Sequence, residues 1–333
     1  MSSPHYDIAI IGAGPIGLAC ALEAKARGLS HCIFDKGCLA NSIYHYPTSM
    51  RFFSTPDLLE IGGLPFTCRD EKPVRWEALE YYRRVAETQN LLIHLYEEVL
   101  DIKGSDGQFN LTTPKGRYHA AKVIVAAGFF EKPRMLNVPG EEMEKVVHFY
   151  KEPHPYIFQK VLVVGNGNSA TQVALECWRH SAEVTLAVRS GGIKSGVKYW
   201  IKPDIENRIE TREINAYFNT VVQEIKPGSV ILKHQDETLT EIENDFVLAM
   251  TGYEPNFNFL RRVGIAIGDD PAQTPVHDPN TYETNRPGVF IAGVVCGGMQ
   301  TNRWFIENSR CHADKIFDRI QATINQTEPS IQK

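Results

Sequence analysis

The sequence predicts an α/β protein with two Rossmann-like, three-layer dinucleotide-binding domains, the second inserted in the first. Two glycine fingerprints support this prediction: Gly12-Ala13-Gly14-Pro15-Ile16-Gly17 and Gly165-Asn166-Gly167-Asn168-Ser169-Ala170. Each follows a short apolar run rich in Ile or Val, and each precedes a helical pattern. One such motif is a weak signal, whereas two in the correct strand and helix context indicate two nucleotide sites.

The first fingerprint lies in a clear strand–helix–strand unit. We predict a strand over residues 7–11, a helix over 15–27 that Gly28 ends, and a second strand over 31–35. In such a unit the three glycines allow a tight turn, close approach to a pyrophosphate, and packing of the helix on the strand. The helix N-terminus then offers N–H groups and a partial positive charge to the phosphates.

An irregular stretch and several regular elements follow. Residues 40–66 mix aromatic and polar side chains without a clear period, and we expect them to wrap the cofactor. Further predicted elements are a helix over 75–88, strands over 91–102, 108–113 and 123–126, and a hairpin turn at Asp106-Gly107.

The second fingerprint starts the inserted domain, and the chain then returns to the first. Predicted elements are a helix over 169–180, strands over 161–164, 183–188, 220–224, 229–234, 246–250 and 288–293, and a last helix over 304–322. The simplest topology places residues 1–130 and 252–333 in the first domain and residues 131–251 in the inserted one.

Composition and charge exclude several classes of protein. The net charge of -5 and pI near 6.1 argue against a nucleic-acid-binding surface. No apolar run approaches the roughly 20 residues of a membrane helix, and no signal peptide is apparent, so we expect a cytoplasmic protein without a membrane partner. The 7 cysteines show no Cys-x-x-Cys spacing, which fits a reducing compartment and excludes a zinc ribbon, and no metal site is expected.

The residue at the end of each second strand indicates which nucleotide binds. Asp35 lies roughly 20 residues after the first fingerprint, where a carboxylate accepts hydrogen bonds from the adenosine ribose. The second unit has Arg189 there, with Ser190 and Lys194 close by. Cationic side chains suit a 2′-phosphate, so we predict NADPH at the second site, although a solvated strand end is the alternative for Arg189. FAD is then the consistent assignment for the first site, with hydride transfer from nicotinamide to flavin.

This order of motifs resembles the thioredoxin reductase family of two-dinucleotide-binding flavoproteins over nearly the whole chain. The resemblance rests on both fingerprints and on the strand ends Ala126-Ala127-Gly128, Thr251-Gly252 and Gly288–Gly293. Two departures matter. Thioredoxin reductases carry a redox Cys-x-x-Cys shortly before the second fingerprint, where this chain has His148-Phe149-Tyr150-Lys151. The family also has an Asp directly after the last glycine, where this chain has Val294.

A more specific resemblance is to the bacillithiol disulfide reductase group of these thioredoxin reductase-like flavoproteins. It implies NADPH-dependent, FAD-containing reduction of a low-molecular-weight disulfide without a Cys-x-x-Cys relay, and a homodimer. The matching words lie outside the glycine loops: Asn41-Ser42-Ile43-Tyr44, Phe52-Phe53-Ser54-Thr55, Glu60-Ile61-Gly62-Gly63, Pro65-Phe66, Tyr150-Lys151-Glu152, His154-Pro155-Tyr156, Lys198-Tyr199-Trp200, Gly297-Gly298-Met299 and Phe305-Ile306-Glu307-Asn308.

The route by which electrons leave the flavin stays open. Some members of this group have a cysteine in the first fingerprint where this chain has Ile16, and a thiolate is the usual nucleophile for disulfide exchange. Either another cysteine serves, or the flavin reduces its acceptor directly, or the acceptor is not a disulfide. Cys296 is the candidate catalytic residue, because we expect it near the N-terminus of the last helix, which lowers a thiol pKa.

The predicted contacts fall into two sets. The FAD set is Gly12, Gly14, Pro15, Ile16, Gly17, Asp35, Lys36, Asn41, Ser42, Val99, Ala127, Gly128, Gly293 and Trp304. The NADPH set is Gly165, Gly167, Asn168, Ser169, Ala170, Arg189, Ser190, Lys194 and Gly252. Three other functions remain: a flavin-dependent monooxygenase, a ferredoxin- or flavodoxin-NADP reductase, and a redox sensor that holds both nucleotides without turnover. The chain lacks the Phe-x-Gly-x-x-x-His linker of the first and a C-terminal aromatic residue in the tail Thr327–Lys333 that is usual in the second.

Overall fold

The computed structural model describes residues 4–327. The chain divides into two compact units, of which the first runs up to His45, over Ser49–Lys132 and from Tyr253 onward. The second comprises Tyr46–Thr48 and Pro133–Gly252. The sequence-based division lies at residues 130 and 251, and its predicted end of the first domain at residue 333 lies outside the described residues. None of the described helices is both long and apolar enough to cross a membrane.

The regular elements include strand–helix–strand units at both fingerprints and longer runs of consecutive strands between them. In chain order they are β1 His5–Ile11, α1 Pro15–Ala26, β2 His31–Phe34, α2 Asn41–Tyr44, α3 Pro56–Leu59, α4 Arg75–Thr88, β3 Ile93–His94, β4 Asp101–Ser105, β5 Gln108–Thr112, β6 Arg117–Val125, β7 Lys132–Pro133, β8 Val146–Val147, β9 Lys160–Val164, α5 Asn168–Arg179, β10 Glu183–Val188, α6 Lys202–Glu210, β11 Asn215–Phe218, β12 Thr220–Ile225, β13 Ser229–His234, β14 Leu239–Glu243, β15 Phe246–Ala249, β16 Tyr253–Glu254, α7 Phe257–Arg262, β17 Val289–Ile291, α8 Ile306–Ser309 and α9 His312–Thr327. Short 3₁₀ helices lie at His154–Tyr156 and Gly293–Gly297.

The first unit is built on a seven-stranded mixed sheet. Its strand order is β3-β2-β1-β6-β5-β4, and β17 also pairs with β6. The strands β1, β2, β3, β6 and β17 run parallel, while the β4–β5 hairpin adds antiparallel strands at one edge. The carboxyl ends of β1, β6 and β17 therefore lie side by side, and open α/β sheets bind ligands at the carboxyl ends of their strands.

Small and branched apolar residues form the core around these parallel strands. Ile8, Ile10 and Val123 are at most 1% exposed, as expected for parallel strands that are covered on both faces. Helix α1 is buried over most of its length, and its residues Leu18 and Ala21 are 0% exposed. Its small side chains allow the close helix–strand packing that a nucleotide-binding unit requires.

The second unit has its own five-stranded parallel sheet in the order β11-β10-β9-β15-β8. Helix α5 packs on β9 and β10, and a separate antiparallel sheet joins β12, β13 and β14. Two apolar clusters lie within this unit, one containing Val163 and Leu186 and the other containing Leu162 and Leu232. Each unit thus has a core of its own.

Most of the predicted elements are present, but several bounds are wrong. The strand predicted over 91–102 is interrupted after His94, because Tyr96 takes a left-handed φ of 52° and turns the chain. The helix predicted over 304–322 is two helices, α8 and α9, with a break at Arg310 and Cys311. The strand predicted over 288–293 ends at Ile291, and Gly293 begins a 3₁₀ turn. The elements that the sequence did not suggest are short: α2, α3, α6, α7, β7, β8, β11, β14 and β16.

Candidate nucleotide-binding sites

The backbone geometry of the first fingerprint requires glycine at two of its three glycine positions. Gly12 has φ 111°, and a Cβ added there would lie 2.4 Å from the Ala126 carbonyl oxygen. A Cβ on Gly17 would lie 1.8 Å from the Gly12 carbonyl oxygen. A Cβ on Gly14 would meet nothing within 4 Å. The protein itself therefore needs no glycine at position 14, and the open space beside it fits a pyrophosphate that approaches the backbone closely.

Helix α1 presents its N-terminus at the same loop. Gly14 is the N-cap residue in an extended conformation, and Pro15 follows in the first turn, where its missing N–H costs no hydrogen bond. The other N–H groups of the first turn lack intrahelical acceptors. They are the donors that anionic groups bind at helix N-termini, so this loop suits the phosphates of a dinucleotide.

Asp35 follows β2 and lies against the fingerprint. Its Oδ2 accepts the Ala13 N–H at 2.7 Å, and its Oδ1 accepts the Gly37 N–H at 2.8 Å. Burial raises the pKa of this carboxyl group, and the two backbone hydrogen bonds oppose that shift. Because each carboxylate oxygen can accept more than one hydrogen bond, Asp35 can still accept ribose hydroxyl groups.

The loop after β2 brings several further predicted FAD residues near the carboxyl ends of β1 and β6. The Ala40 N–H donates to the Ala13 carbonyl at 3.0 Å, which ties the start of α2 to the fingerprint. Ser42 Oγ would lie 3.9 Å from a Cβ on Gly128. Asn41 Oδ1 accepts a weak hydrogen bond from Cys38 Sγ at 3.4 Å.

Two predicted FAD residues have side chains that other protein groups pair with or bury. Lys36 forms an ion pair with Glu131, so its ammonium group has a protein partner. Val99 is 3% exposed, so its side chain is shielded and a nucleotide contact there falls to its backbone.

Ile16 faces the end of β17. A Cβ on Gly293 would lie 3.2 Å from Ile16 Cγ1, so the first fingerprint and the turn after β17 are in direct contact. Trp304, another predicted FAD residue, is half-buried, and its ring centroid lies 4.6 Å from that of His312. The long-range grouping of positions 12–17, 126–128 and 293 is the one the sequence predicted.

The second fingerprint repeats this geometry in the second unit. Gly165 has φ 134°, and a Cβ there would lie 2.6 Å from the Met250 carbonyl oxygen. Gly167 is the N-cap of α5, and a Cβ on it would meet nothing within 4 Å. Ala170 takes the third position and is 0% exposed, so the packing of α5 on the sheet accommodates one methyl group.

Two asparagine side chains attach the loop after β10 to this fingerprint. Asn166 Nδ2 donates to Ser190 Oγ at 2.7 Å and to the Gly192 carbonyl at 3.2 Å. Asn168 Oδ1 accepts the Lys198 N–H at 2.9 Å. Asn168 is a predicted NADPH contact, and its side chain holds this loop. Asn166 is not among the predicted site residues, and its signal in the sequence is a side-chain amide between two fingerprint glycines.

The basic residues of the loop are exposed on this side of the second unit. Arg189 and Lys194 both face solvent, and within residues 4–327 neither side chain forms an ion pair. The Lys194 N–H donates to the Asn166 carbonyl at 3.3 Å, which places this residue beside the fingerprint. Gly252, the last residue of the second unit, accepts the Arg134 N–H at 3.0 Å. The residues present therefore fit a phosphorylated nucleotide.

The prediction for Cys296 had a wrong premise. Cys296 lies in the 3₁₀ turn Gly293–Gly297 and not at the N-terminus of the last helix. It is 1% exposed, and burial raises the pKa of its thiol. Since the thiolate is the reactive form, this buried thiol is not activated. The pKa is also raised, with burial as the largest cause, for Cys20, Cys32, Cys38, Cys68 and Cys177.

Comparison with known proteins agrees with this geometry. The model of the pyridine nucleotide-disulphide oxidoreductase family matches residues 9–293. The chain is 39% identical over 312 residues to a Bacillus subtilis (strain 168) protein named bacilliredoxin reductase Bdr, covering 93% of this chain and 96% of that protein. It is also similar to the solved structure of the bacillithiol disulfide reductase Bdr of Staphylococcus aureus, with a TM-score of 0.92, 37% identity, and coverage of 98% of this chain and 100% of that one.

A more distant match bears on the fold alone. The thioredoxin reductase of T. acidophilum aligns over 97% of this chain and 100% of its own, with a TM-score of 0.76 at 22% identity. The predicted thioredoxin reductase-like α/β fold is thus confirmed. Together with the match over residues 9–293, these findings show that the chain belongs to the pyridine nucleotide-disulphide oxidoreductase family and is an oxidoreductase that uses FAD and a nicotinamide dinucleotide.

Proposed function

We propose that this chain is an NADPH-dependent flavoprotein reductase of a low-molecular-weight disulfide of the bacillithiol disulfide type. The observation that carries the proposal is the 39% identity over 93% of the chain to a protein named bacilliredoxin reductase. Similarity of the whole chain to a bacillithiol disulfide reductase structure supports it. When bound, FAD would supply two-electron transfer between the nicotinamide and the acceptor.

In this proposal the first unit holds FAD and the second holds NADPH. The open space at Gly14, the N-terminus of α1 and the Asp35 carboxylate support FAD in the first unit. The open space at Gly167 and the exposed cations Arg189 and Lys194 support a 2′-phosphorylated nucleotide in the second. The nucleotide contacts of the remaining residues in the two predicted sets stay predictions.

We further propose that no thiol of this chain forms a mixed disulfide with the acceptor. Four of the cysteines, Cys20, Cys32, Cys177 and Cys296, are buried. Ile16 occupies the fingerprint position at which some members of the resembled group carry a cysteine, and it packs against Gly293. The more accessible cysteines are Cys38, Cys68 and Cys311. Burial and neighbouring carboxylates raise the pKa of the first two thiols, which disfavours their reactive form.

The test uses two cysteine variants and NADPH oxidation with bacillithiol disulfide. One combines Cys38→Ser, Cys68→Ser and Cys311→Ser, and the other is Cys296→Ala. We expect kcat within about twofold of wild type in both, because loss of a true thiol nucleophile costs orders of magnitude. A loss of about 100-fold in either variant, with its flavin retained, contradicts the proposal, and the three single variants then identify the thiol if the loss is in the triple variant.

The same assay separates the competing functions. Oxygen consumption in step with NADPH and a third substrate would assign the chain to the flavin-dependent monooxygenases. Turnover with ferredoxin or flavodoxin and none with the disulfide would assign it to the NADP reductases. Absence of steady-state NADPH oxidation with all of these acceptors, in protein that binds FAD, would support a redox sensor.

We also propose a homodimer located in the cytoplasm. The cytoplasmic assignment is supported by the 7 unpaired cysteines, which are typical of a reducing compartment. The dimer should have twice the 37.5 kDa mass of the chain in multi-angle light scattering. A mass of one chain at micromolar concentration would refute the dimer and leave the reaction unaffected.

A further inference from the structure

The turn that follows β17 lacks the polar side chain that could fix it from within. The turn spans Gly293–Gly297, and its second residue is Val294, which has no side-chain oxygen. It lies against the first fingerprint through the contact between Gly293 and Ile16. The side-chain hydrogen bond that holds the Gly293 amide therefore comes from elsewhere in the first unit.

His312 supplies the acceptor of this bond from the start of α9. Its Nδ1 accepts the Gly293 N–H at 3.2 Å, and Cys296 Sγ lies 3.9 Å from the same nitrogen. One imidazole nitrogen thus contacts both the beginning and the middle of the turn. Because Nδ1 accepts a backbone N–H, the neutral ring carries its proton on Nε2.

Aromatic neighbours hold the imidazole in this orientation. The ring stacks on Tyr282 with centroids 3.9 Å apart, and Trp304 packs on it edge to face at 4.6 Å. His312 is 0% exposed. Burial, with smaller contributions from Lys315 and His277, lowers the pKa of His312 to about 3, so the ring stays a neutral acceptor near neutral pH.

Nε2, the other ring nitrogen of His312, does not help to hold the turn. Nε2 of His312 is buried and finds no hydrogen-bond partner among the described residues. An unsatisfied buried donor is unfavourable, so a phenyl ring at this position removes that cost along with the Nδ1 acceptor. The polar role of His312 therefore rests on Nδ1 and the Gly293 amide.

We propose that His312 is a positioning residue of the FAD site, which fixes the turn after β17 by accepting the Gly293 N–H. The inference rests on the proposed FAD site of the first unit. His312 acts through Gly293 and the turn, so its effect falls on FAD binding and on the flavin environment. This effect does not depend on which molecule takes the electrons from the flavin.

The test compares His312→Phe with His312→Asn in the full-length protein. Phenylalanine keeps the stacked ring without the acceptor, while asparagine offers an amide oxygen near the position of Nδ1. We expect His312→Phe to raise the Kd for FAD about tenfold and to shift the flavin absorption spectrum. We expect His312→Asn to bind FAD within about twofold of wild type. FAD binding is measured by quenching of its fluorescence on addition to the apoprotein.

His277→Phe is the matched control, because His277 also stacks on Tyr282 but donates to the Pro275 carbonyl and not to the turn. Its Kd for FAD should equal that of wild type. Wild-type affinity and spectrum in His312→Phe would overturn the inference, as would an equal loss in His277→Phe. If His312→Phe does not fold, a tenfold loss of FAD affinity in folded His312→Asn likewise overturns it. Failure of wild type to bind FAD would instead refute the proposed function.

Discussion

Replacement of Gly14 by alanine is expected to weaken FAD binding strongly while the apoprotein stays as stable as wild type. A Cβ at this position meets no protein atom within 4 Å, and the backbone φ of -80° suits any L residue. The methyl group then occupies the space through which the fingerprint backbone approaches the pyrophosphate. We expect the Kd for FAD to rise at least 100-fold, as measured by fluorescence titration. Urea unfolding of the apoprotein should give an unchanged midpoint.

Gly17→Ala provides the contrasting variant in the same loop. Its Cβ would lie 1.8 Å from the Gly12 carbonyl oxygen, so the helix must move before any ligand binds. Overpacking of this kind costs about 1–3 kcal/mol, and the apoprotein should unfold at lower urea concentration. If Gly14→Ala binds FAD as wild type does, the phosphates of FAD do not lie at this loop.

Replacement of Arg189 by alanine is expected to lower kcat/KM for NADPH by about 10- to 100-fold, with NADH unaffected. Arg189 is exposed at the end of β10, and a guanidinium binds a phosphate through charge-assisted hydrogen bonds. Only NADPH carries the 2′-phosphate, so the ratio of the two kcat/KM values isolates this contact. Initial rates with both nucleotides and a common electron acceptor give that ratio.

Lys233→Gln is the control, because Lys233 is a cation of the same unit on β13 and pairs with Glu237 at the surface. The ratio of its kcat/KM for NADPH to its kcat/KM for NADH should equal that of wild type. An equal loss with both nucleotides in Arg189→Ala would show that Arg189 supports the loop and leaves the 2′-phosphate unrecognised. FAD content should be unchanged in both variants, because they lie in the second unit.

The parts of the sites that follow from local backbone rules could be predicted from the sequence. Gly12 and Gly165 adopt conformations that favour glycine, and the apolar runs before them form buried parallel strands. Asp35 lies where the roughly 20-residue length of a strand–helix–strand unit places an acid. These features depend on short-range geometry, which one sequence displays.

The parts that depend on contacts between distant segments could not be predicted. The hydrogen bond from Gly293 to His312 joins a strand end to a separate helix, and no periodicity in the sequence predicts it. The sequence suggested one last helix, and with it an exposed N-terminus for Cys296. The chain instead forms two helices, and Cys296 is buried in the turn before them. Tertiary packing decided both outcomes.

The hydrogen bonds of Asn166 have a consequence for attempts to change coenzyme preference. Its side chain joins the second fingerprint to the loop that contains Ser190 and Gly192. A substitution that reshapes this loop to favour NADH therefore also displaces the fingerprint, and affinity is lost for both coenzymes. Engineering of this enzyme should vary positions 166 and 189–194 in one library, because their effects will not be additive.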